Sequence, residues 1–140
     1  MSSTMRWRAA AGHTVRYEMT PEETIDLYAA AWGETDSGRR MTILEQVLSP
    51  DCTYTDPRVH AANPGELSDH IGRILPSRPG AKVLRISTVD MHHGKARFAW
   101  HMVNADGTAL PAGLDIVEFD EATGKLKTIL GFFGSLPDLE

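Results

Sequence analysis

The sequence predicts an α+β domain in which three N-terminal helices pack on a strongly curved antiparallel sheet. Three observations predict it. Helix-start chemistry recurs within residues 20–75, β-like runs fill residues 82–134, and the runs are separated by dipeptides typical of hairpins. A chain of 140 residues can enclose one core. Hydrophobic residues at 41% and charged residues at 24% argue against a disordered chain or a membrane span. A net charge of −5 with no basic stripe argues against nucleic acid as a partner. The single cysteine, Cys52, excludes an internal disulfide framework. Near the N-terminus, Arg6, Arg8 and Arg16 surround only a short alanine run, so no secretory signal is expected and a cytoplasmic location is.

Residues 1–19 read as an appendage that Trp7 and Tyr17 pack down, and residues 20–140 as the single domain. Thr20-Pro21-Glu22-Glu23 carries a cap, a proline suited to the first helical position and the acid of a capping box. Ile25, Tyr28, Ala29 and Trp32 follow at helical spacing, and Gly33 stops the helix. After a polar loop, Glu34–Gly38, a second helix carries Met41, Ile43, Leu44, Val47 and Leu48 and ends at Pro50. Cys52–Thr55 is β-prone, and Asp56-Pro57 closes that strand. Asn63-Pro64-Gly65-Glu66 starts a third helix with Leu67, Ile71, Ile74 and Leu75 on its apolar stripe. Four β-like runs follow, Lys82–Val89, Lys95–Asn104, Thr108–Asp120 and Lys125–Gly134. They are punctuated by His93-Gly94, Asp106-Gly107 and Thr123-Gly124. A bent sheet wrapped on helices leaves a cavity suited to a ligand.

Treated as a two-residue hairpin, Asp106-Gly107 sets Ala105 opposite Thr108, Met102 opposite Pro111, Trp100 opposite Gly113 and Phe98 opposite Asp115. One face of the hairpin then carries Phe98, Trp100, Met102, Val117 and Phe119, with Asp115 in their midst. Such surroundings disfavour the charged form of a carboxyl, so the pKa of Asp115 is expected to rise. A backbone partner or a place at the sheet edge would satisfy Asp115 equally well. Asp56 before Pro57 is also ordinary turn chemistry, and Tyr28 beside Ile25 and Trp32 is also ordinary core. The test is whether the three converge on one cavity.

The order of helices, the strand ending Tyr54-Thr55-Asp56-Pro57, and the last hairpin from Gly113 through Leu126 resemble the nuclear transport factor 2-like (NTF2-like) superfamily. That superfamily includes the SnoaL-like polyketide cyclases and the ketosteroid isomerases. The resemblance spans about residues 20–134 and implies a cone of three helices on a curved sheet. The ketosteroid isomerases match residue by residue at three positions. Their general base, the Asp of an Asp-Pro, falls on Asp56. Their oxyanion hole, a helix Tyr and a strand Asp, falls on Tyr28 and Asp115. Phe119-Asp120-Glu121 also resembles their pattern. The resemblance implies an enzyme that needs no metal or organic cofactor and acts on a flat, apolar carbonyl compound. Trp32, Phe98, Trp100, Met102, Val117, Phe119 and either Phe132 or Phe133 would line its pocket. It equally admits a SnoaL-like cyclase or dehydratase, or a dimeric protein that binds a small ligand without catalysis.

An epoxide hydrolase of this superfamily would place Arg two residues before the strand Asp, and position 113 is Gly. A metal site is disfavoured, because adjacent residues such as His92 and His93 usually point apart. Ala99, His101, Val103, Leu114 and Ile116 fall on the face opposite Asp115, which is apolar enough to bury in a homodimer, with His101 an interface residue.

Overall fold

Thr20 caps the first helix as its position predicts. Its hydroxyl accepts from the Glu23 backbone N–H at 3.1 Å, and the Glu23 carboxylate accepts from the Thr20 N–H at 2.9 Å. With Pro21 in the first turn, this capping box starts α1 (Pro21–Ala31). In α2 (Ser37–Val47), the Asp36 carboxylate accepts from the Arg39 N–H at 2.8 Å. In α3 (Pro64–Ile74), the Asn63 side-chain oxygen accepts from the Glu66 N–H at 2.9 Å. Each such cap is worth about 1 kcal/mol. In the computed structural model, residues 5–8 and 14–140 are described, with side chains from residue 18 onward. The described residues form three α-helices, a short 3₁₀ turn at Leu75–Ser77, a seven-stranded sheet and a two-stranded ribbon.

The ribbon pairs β1 (Met5–Arg8) with β2 (Thr14–Tyr17), separate from the main sheet. The side chains of Trp7 and Tyr17, expected to pack this segment down, lie outside the described residues. The main sheet contains β3 (Leu48–Asp56), β4 (Val59–Ala61), β5 (Lys82–Arg85), β6 (Asp90–His92), β7 (Lys95–Val103), β8 (Gly113–Phe119) and β9 (Leu126–Phe133). Its order is β4-β3-β9-β8-β7-β5, with β6 also on β7. The pairs β5–β7, β6–β7, β7–β8 and β8–β9 are antiparallel, as expected for residues 82–134. The exception is β3, which runs parallel to β9 and makes the sheet mixed. Nothing local in the sequence announces a pairing between strands this far apart.

Several boundaries shift. Leu48, Ser49 and Pro50 belong to β3 rather than to the second helix. The expected run Lys82–Val89 is strand only over β5, because the Ser87 hydroxyl takes the Ala99 N–H (2.8 Å) and interrupts the ladder; β6 lies beyond the run and is not among the expected strands. The hairpin between β7 and β8 is not a two-residue turn. The Asn104 N–H bonds the Thr108 carbonyl, leaving Ala105, Asp106 and Gly107 as a three-residue loop. Gly107 takes φ 89°, which glycine adopts without strain. The extra loop residue moves Ala109 opposite Val103. A one-residue offset before β8 then restores Trp100 opposite Gly113 and Phe98 opposite Asp115. Two departures from the ideal hairpin cancel, so the expected neighbours of Asp115 are the actual ones.

The sheet's inner face supplies Phe98, Val117, Phe119, Leu126 and Ile129 to a core completed by Ile25, Leu44, Leu67 and Ile71 from the helices. Each such buried side chain contributes roughly 1.5–3 kcal/mol. One buried cation lies among the helices. Arg40 Nε donates to Ser68 Oγ at 2.9 Å and Nη1 to the Glu34 carbonyl at 2.7 Å, tying α2 to α3 and to the loop before α2. The outer face carries exposed Leu84, Ile86, Leu114, Ile116, Leu130 and Phe132. The pair Arg97–Asp90 is also exposed, and Lys95 reaches the half-buried Glu118.

Candidate active site

Asp56 ends β3, and the chain turns back into β4 through Pro57 and Arg58. The backbone N–H groups of Arg58 and Val59 donate to Asp56 Oδ1 at 2.7 and 3.1 Å, a side-chain-anchored turn. Two residues earlier on the same strand face, Tyr54 donates from its hydroxyl to Asp56 Oδ2 at 2.6 Å. Oδ1 thus meets two donors and Oδ2 one, so Oδ2 keeps a lone pair for an incoming proton. Burial, then the neighbouring Tyr28 phenol and the bond to Asp56, push the Tyr54 phenol far above its ordinary range, so it stays a donor.

Asp115 lies in the middle of β8, opposite Phe98 on β7 and Gly131 on β9. It is 5% exposed. Burial pushes its carboxyl up to about 7; the Trp100 N–H opposes this and the nearby Asp56 adds to it. Trp100 Nε1 donates to Asp115 Oδ1 at 2.8 Å. The indole reaches Asp115 by lying across Gly113, where a Cβ would collide with the ring. Because Trp100 occupies Oδ1, Oδ2 is the oxygen left to carry the proton when the carboxyl is neutral.

Tyr28 projects inward from α1, 3% exposed. Trp32, one turn later, donates from Nε1 to Tyr28 Oη at 3.0 Å. Burial first, and Asp115 second, push this phenol well above its ordinary value. Tyr28 is therefore a phenol whose oxygen already accepts a bond and whose proton is free to be donated.

The mixed sheet joins these groups. Tyr54 sits beside Ile129 and Thr55 beside Leu130 across the parallel pair, which carries Asp56 to the side of Gly131. Asp115 flanks the same glycine on the other side. A Cβ on Gly131 would lie 3.2 Å from Asp115 Oδ1, 3.4 Å from Asp56 Cβ and 3.4 Å from Tyr54 Oη. The missing side chain leaves one space that all three residues border.

That space belongs to a cavity of about 290 Å³ lined by Tyr28, Asp56 and Asp115 together. Trp32, Phe98, Trp100, Met102 and Phe133 line it as expected. Val117 and Phe119 do not. Each is 1% exposed and packed into the core below the cavity floor. Phe132 is 52% exposed and shares the outer face with its cross-strand neighbour Leu114, which decides the register in favour of Phe133. Residues missed in the sequence also line the cavity, among them Tyr54, Arg58, His70, Arg78 and Arg85. The two-residue alternation from Asp56 could have identified Tyr54. Nothing local could have identified Arg58, His70, Arg78 or Arg85, which come from a turn, α3, the 3₁₀ turn's end and β5. A separate depression of about 340 Å³ between α1 and β5 contains Asp26, which is already engaged by Arg85.

Among the described residues, no three His, Cys, Asp or Glu side chains come together as ligands for a metal ion. His92 and His93 nonetheless do not point apart. Their Nδ1 atoms lie 3.3 Å from each other at an exposed turn where His93 takes φ 52°. The left-handed backbone of the turn rotates the second ring toward the first. Among the described residues, no helix is long and apolar enough to cross a membrane.

Three helices against a mixed, unclosed sheet with a cavity between them define the fold of the NTF2-like superfamily. Within that fold the chain is similar to a candidate isomerase of the SnoaL-like family from Agrobacterium tumefaciens. The two are 26% identical over 80% of this chain and 95% of the other, with a TM-score of 0.73. It also resembles an NTF2-like superfamily protein from Salmonella enterica (17% identity, 84% and 90% coverage, TM-score 0.61). A candidate SnoaL-like polyketide cyclase from Jannaschia has the same fold (14% identity, 80% and 83% coverage, TM-score 0.57). No family model matches the sequence, and no curated protein matches it.

Proposed function

We propose that this protein is an enzyme of the ketosteroid isomerase type, which abstracts a proton alpha to a carbonyl of a small, flat, largely apolar substrate. The observation that carries the reading is the pairing of two carboxyls in one cavity. Asp56 is held by three donors as an acceptor, and burial pushes Asp115 up to about 7, toward the neutral acid. Environments that differ in this way assign base and acid within one site. Asp56 Oδ2 takes the α proton, and the electrons of the broken C–H bond move onto the carbonyl oxygen. Tyr28 Oη–H and Asp115 Oδ2–H donate to the dienolate oxygen that forms. Asp56 then returns the proton to the γ carbon, and a conjugated enone leaves. A cavity left open rather than filled by side chains favours this over a purely structural role. Its volume suits a one- or two-ring compound. A cyclisation or dehydration in this cavity would likewise draw on Asp56 as base and on Tyr28 and Asp115 as donors.

The test is turnover of a panel of β,γ-unsaturated ketones, followed by absorbance of the conjugated product. Turnover is expected in the parent, with Tyr28→Phe slower by about 10²–10³-fold through loss of one oxyanion donor. A parent inactive on every such ketone overturns the isomerase reading.

We also propose a homodimer through the outer sheet face, with Leu114, Ile116 and His101 at the contact. The exposed apolar side chains there, neighboured by charged pairs, have the composition of an interface centre and rim. Ile116→Lys is expected to convert a sedimenting dimer to a monomer. A parent that sediments as a monomer at micromolar concentration contradicts the proposal.

A further inference from the structure

Three arginines line the cavity, and they are not equivalent. Arg85 is neutralised by Asp26 through two bonds of 2.8 and 3.0 Å. Arg58 and Arg78 have no such partner. The ion pairs among the described residues are Arg39–Glu34, Arg85–Asp26, Lys95–Glu118, Lys127–Glu118 and Arg97–Asp90. Arg58 lies over the Phe133 ring, 5.7 Å from its centroid, in the turn that also positions Asp56. Arg78 follows the 3₁₀ turn after α3 and makes a single bond of 3.3 Å to Asn104 Oδ1. Both are exposed, so they stand at the rim, whereas Tyr28 and Asp115 are buried at the floor. The chain as a whole carries a charge of −5. Two unpaired guanidinium groups at one cavity mouth therefore run against the prevailing charge. Such a local field draws in and orients an anion.

We propose that the substrate of this cavity bears a carboxylate at the end remote from its reactive carbonyl, and that Arg58 and Arg78 receive it at the rim. The inference rests on the α-proton abstraction reading and specifies its substrate class as an apolar keto or enone acid. The chemistry is complementary at each end. A flat ring fits among Phe98, Trp100 and Phe133, its carbonyl meets the hydroxyl donors below, and the planar guanidinium fork matches a planar carboxylate above. A rim carboxylate also keeps its charge away from Asp56, which must become neutral as the dienolate forms.

The test uses calorimetric titration with 6-hydroxy-2-naphthoate and its methyl ester, since a phenol mimics the enol in the oxyanion site. The acid is expected to bind about tenfold tighter than the ester. The preference should shrink as salt is raised, because the rim is exposed. It should vanish in the Arg58→Gln/Arg78→Gln double variant and persist in Lys127→Gln, a charge control on the far face. Ester binding equal to acid binding, with the ester's affinity lost in Asp115→Leu, overturns the carboxylate inference and leaves the enzymatic reading standing. An acid preference that survives the double arginine variant also overturns it. Absence of binding by both compounds removes the inference and the reading together.

Discussion

Asp56→Asn is expected to lower turnover of a β,γ-unsaturated ketone by about 10²–10⁴-fold while leaving the fold intact. The amide oxygen of Asn can still accept from the Arg58 and Val59 N–H groups that now bond Oδ1. Its NH₂ faces the Tyr54 hydroxyl, which accepts as readily as it donates, so that contact reverses direction without breaking. Stability should therefore change by no more than about 1 kcal/mol. What the variant cannot do is take up a proton. Thermal melting and turnover measured on the same preparation separate the two effects. A parent-like rate in Asp56→Asn would remove Asp56 as the base. A lost fold would instead mean that the three donors require a charged acceptor.

Asp115→Leu is expected to cost about 10²–10³-fold in turnover, and Asp115→Asn distinctly less. Leucine removes the oxyanion donor and leaves the half-buried Trp100 N–H without its Oδ1 partner, an additional stability cost of about 1 kcal/mol. Asparagine can serve both partners, with its oxygen accepting from Trp100 and its NH₂ donating into the cavity. The pH profile gives a second readout. The folded pKa of Asp115 is raised from 3.8 to about 7, so between these values the native state retains a proton that the unfolded state has released. Stability from this group is fully present below about pH 4, falls as pH rises through 7, and is then flat. The total loss is on the order of 4 kcal/mol. Asp115→Asn should flatten that slope in denaturant titrations at pH 4, 6 and 8. In the parent, turnover should also decline above pH 7 as the donor ionises, and Asp115→Asn should lack that decline. Equal slopes in parent and variant would show that Asp115 is not the carboxyl held neutral.

The elements most legible in the sequence are those whose signals are local. Thr20, Asn63 and the prolines after them mark two helix starts because a cap satisfies backbone donors within three residues. Alternation identified the inward face of β7 and β8, and with it the buried position of Asp115. The β7–β8 register came out as expected only because a longer loop and a later offset cancel. Pro50 marks no helix end: it lies inside β3, in the register shift between Leu48 and Thr53, where a proline's missing N–H costs no ladder bond. Alternation reports which face a side chain takes without its depth along the strand, so Val117 and Phe119 share the inner face with Asp115 yet lie in the core beyond the cavity.

By itself the sequence determined the α+β class, the three helix positions, the hairpin face around Asp115, and Tyr28, Asp56 and Asp115 as residues to examine. The tertiary structure alone decided that they converge. The parallel pairing of β3 with β9 sets Asp56 and Asp115 on either side of Gly131, and the absence of a side chain there leaves the space between them open. It also decided that two unpaired arginines stand at the rim of the same cavity. The physical reason is range. Caps, turns and alternation are satisfied within a few residues and leave a mark in the sequence. Contacts between residues far apart in the chain, such as Asp56 and Asp115, are fixed by how the sheet closes against the helices, and no short stretch of chain records that.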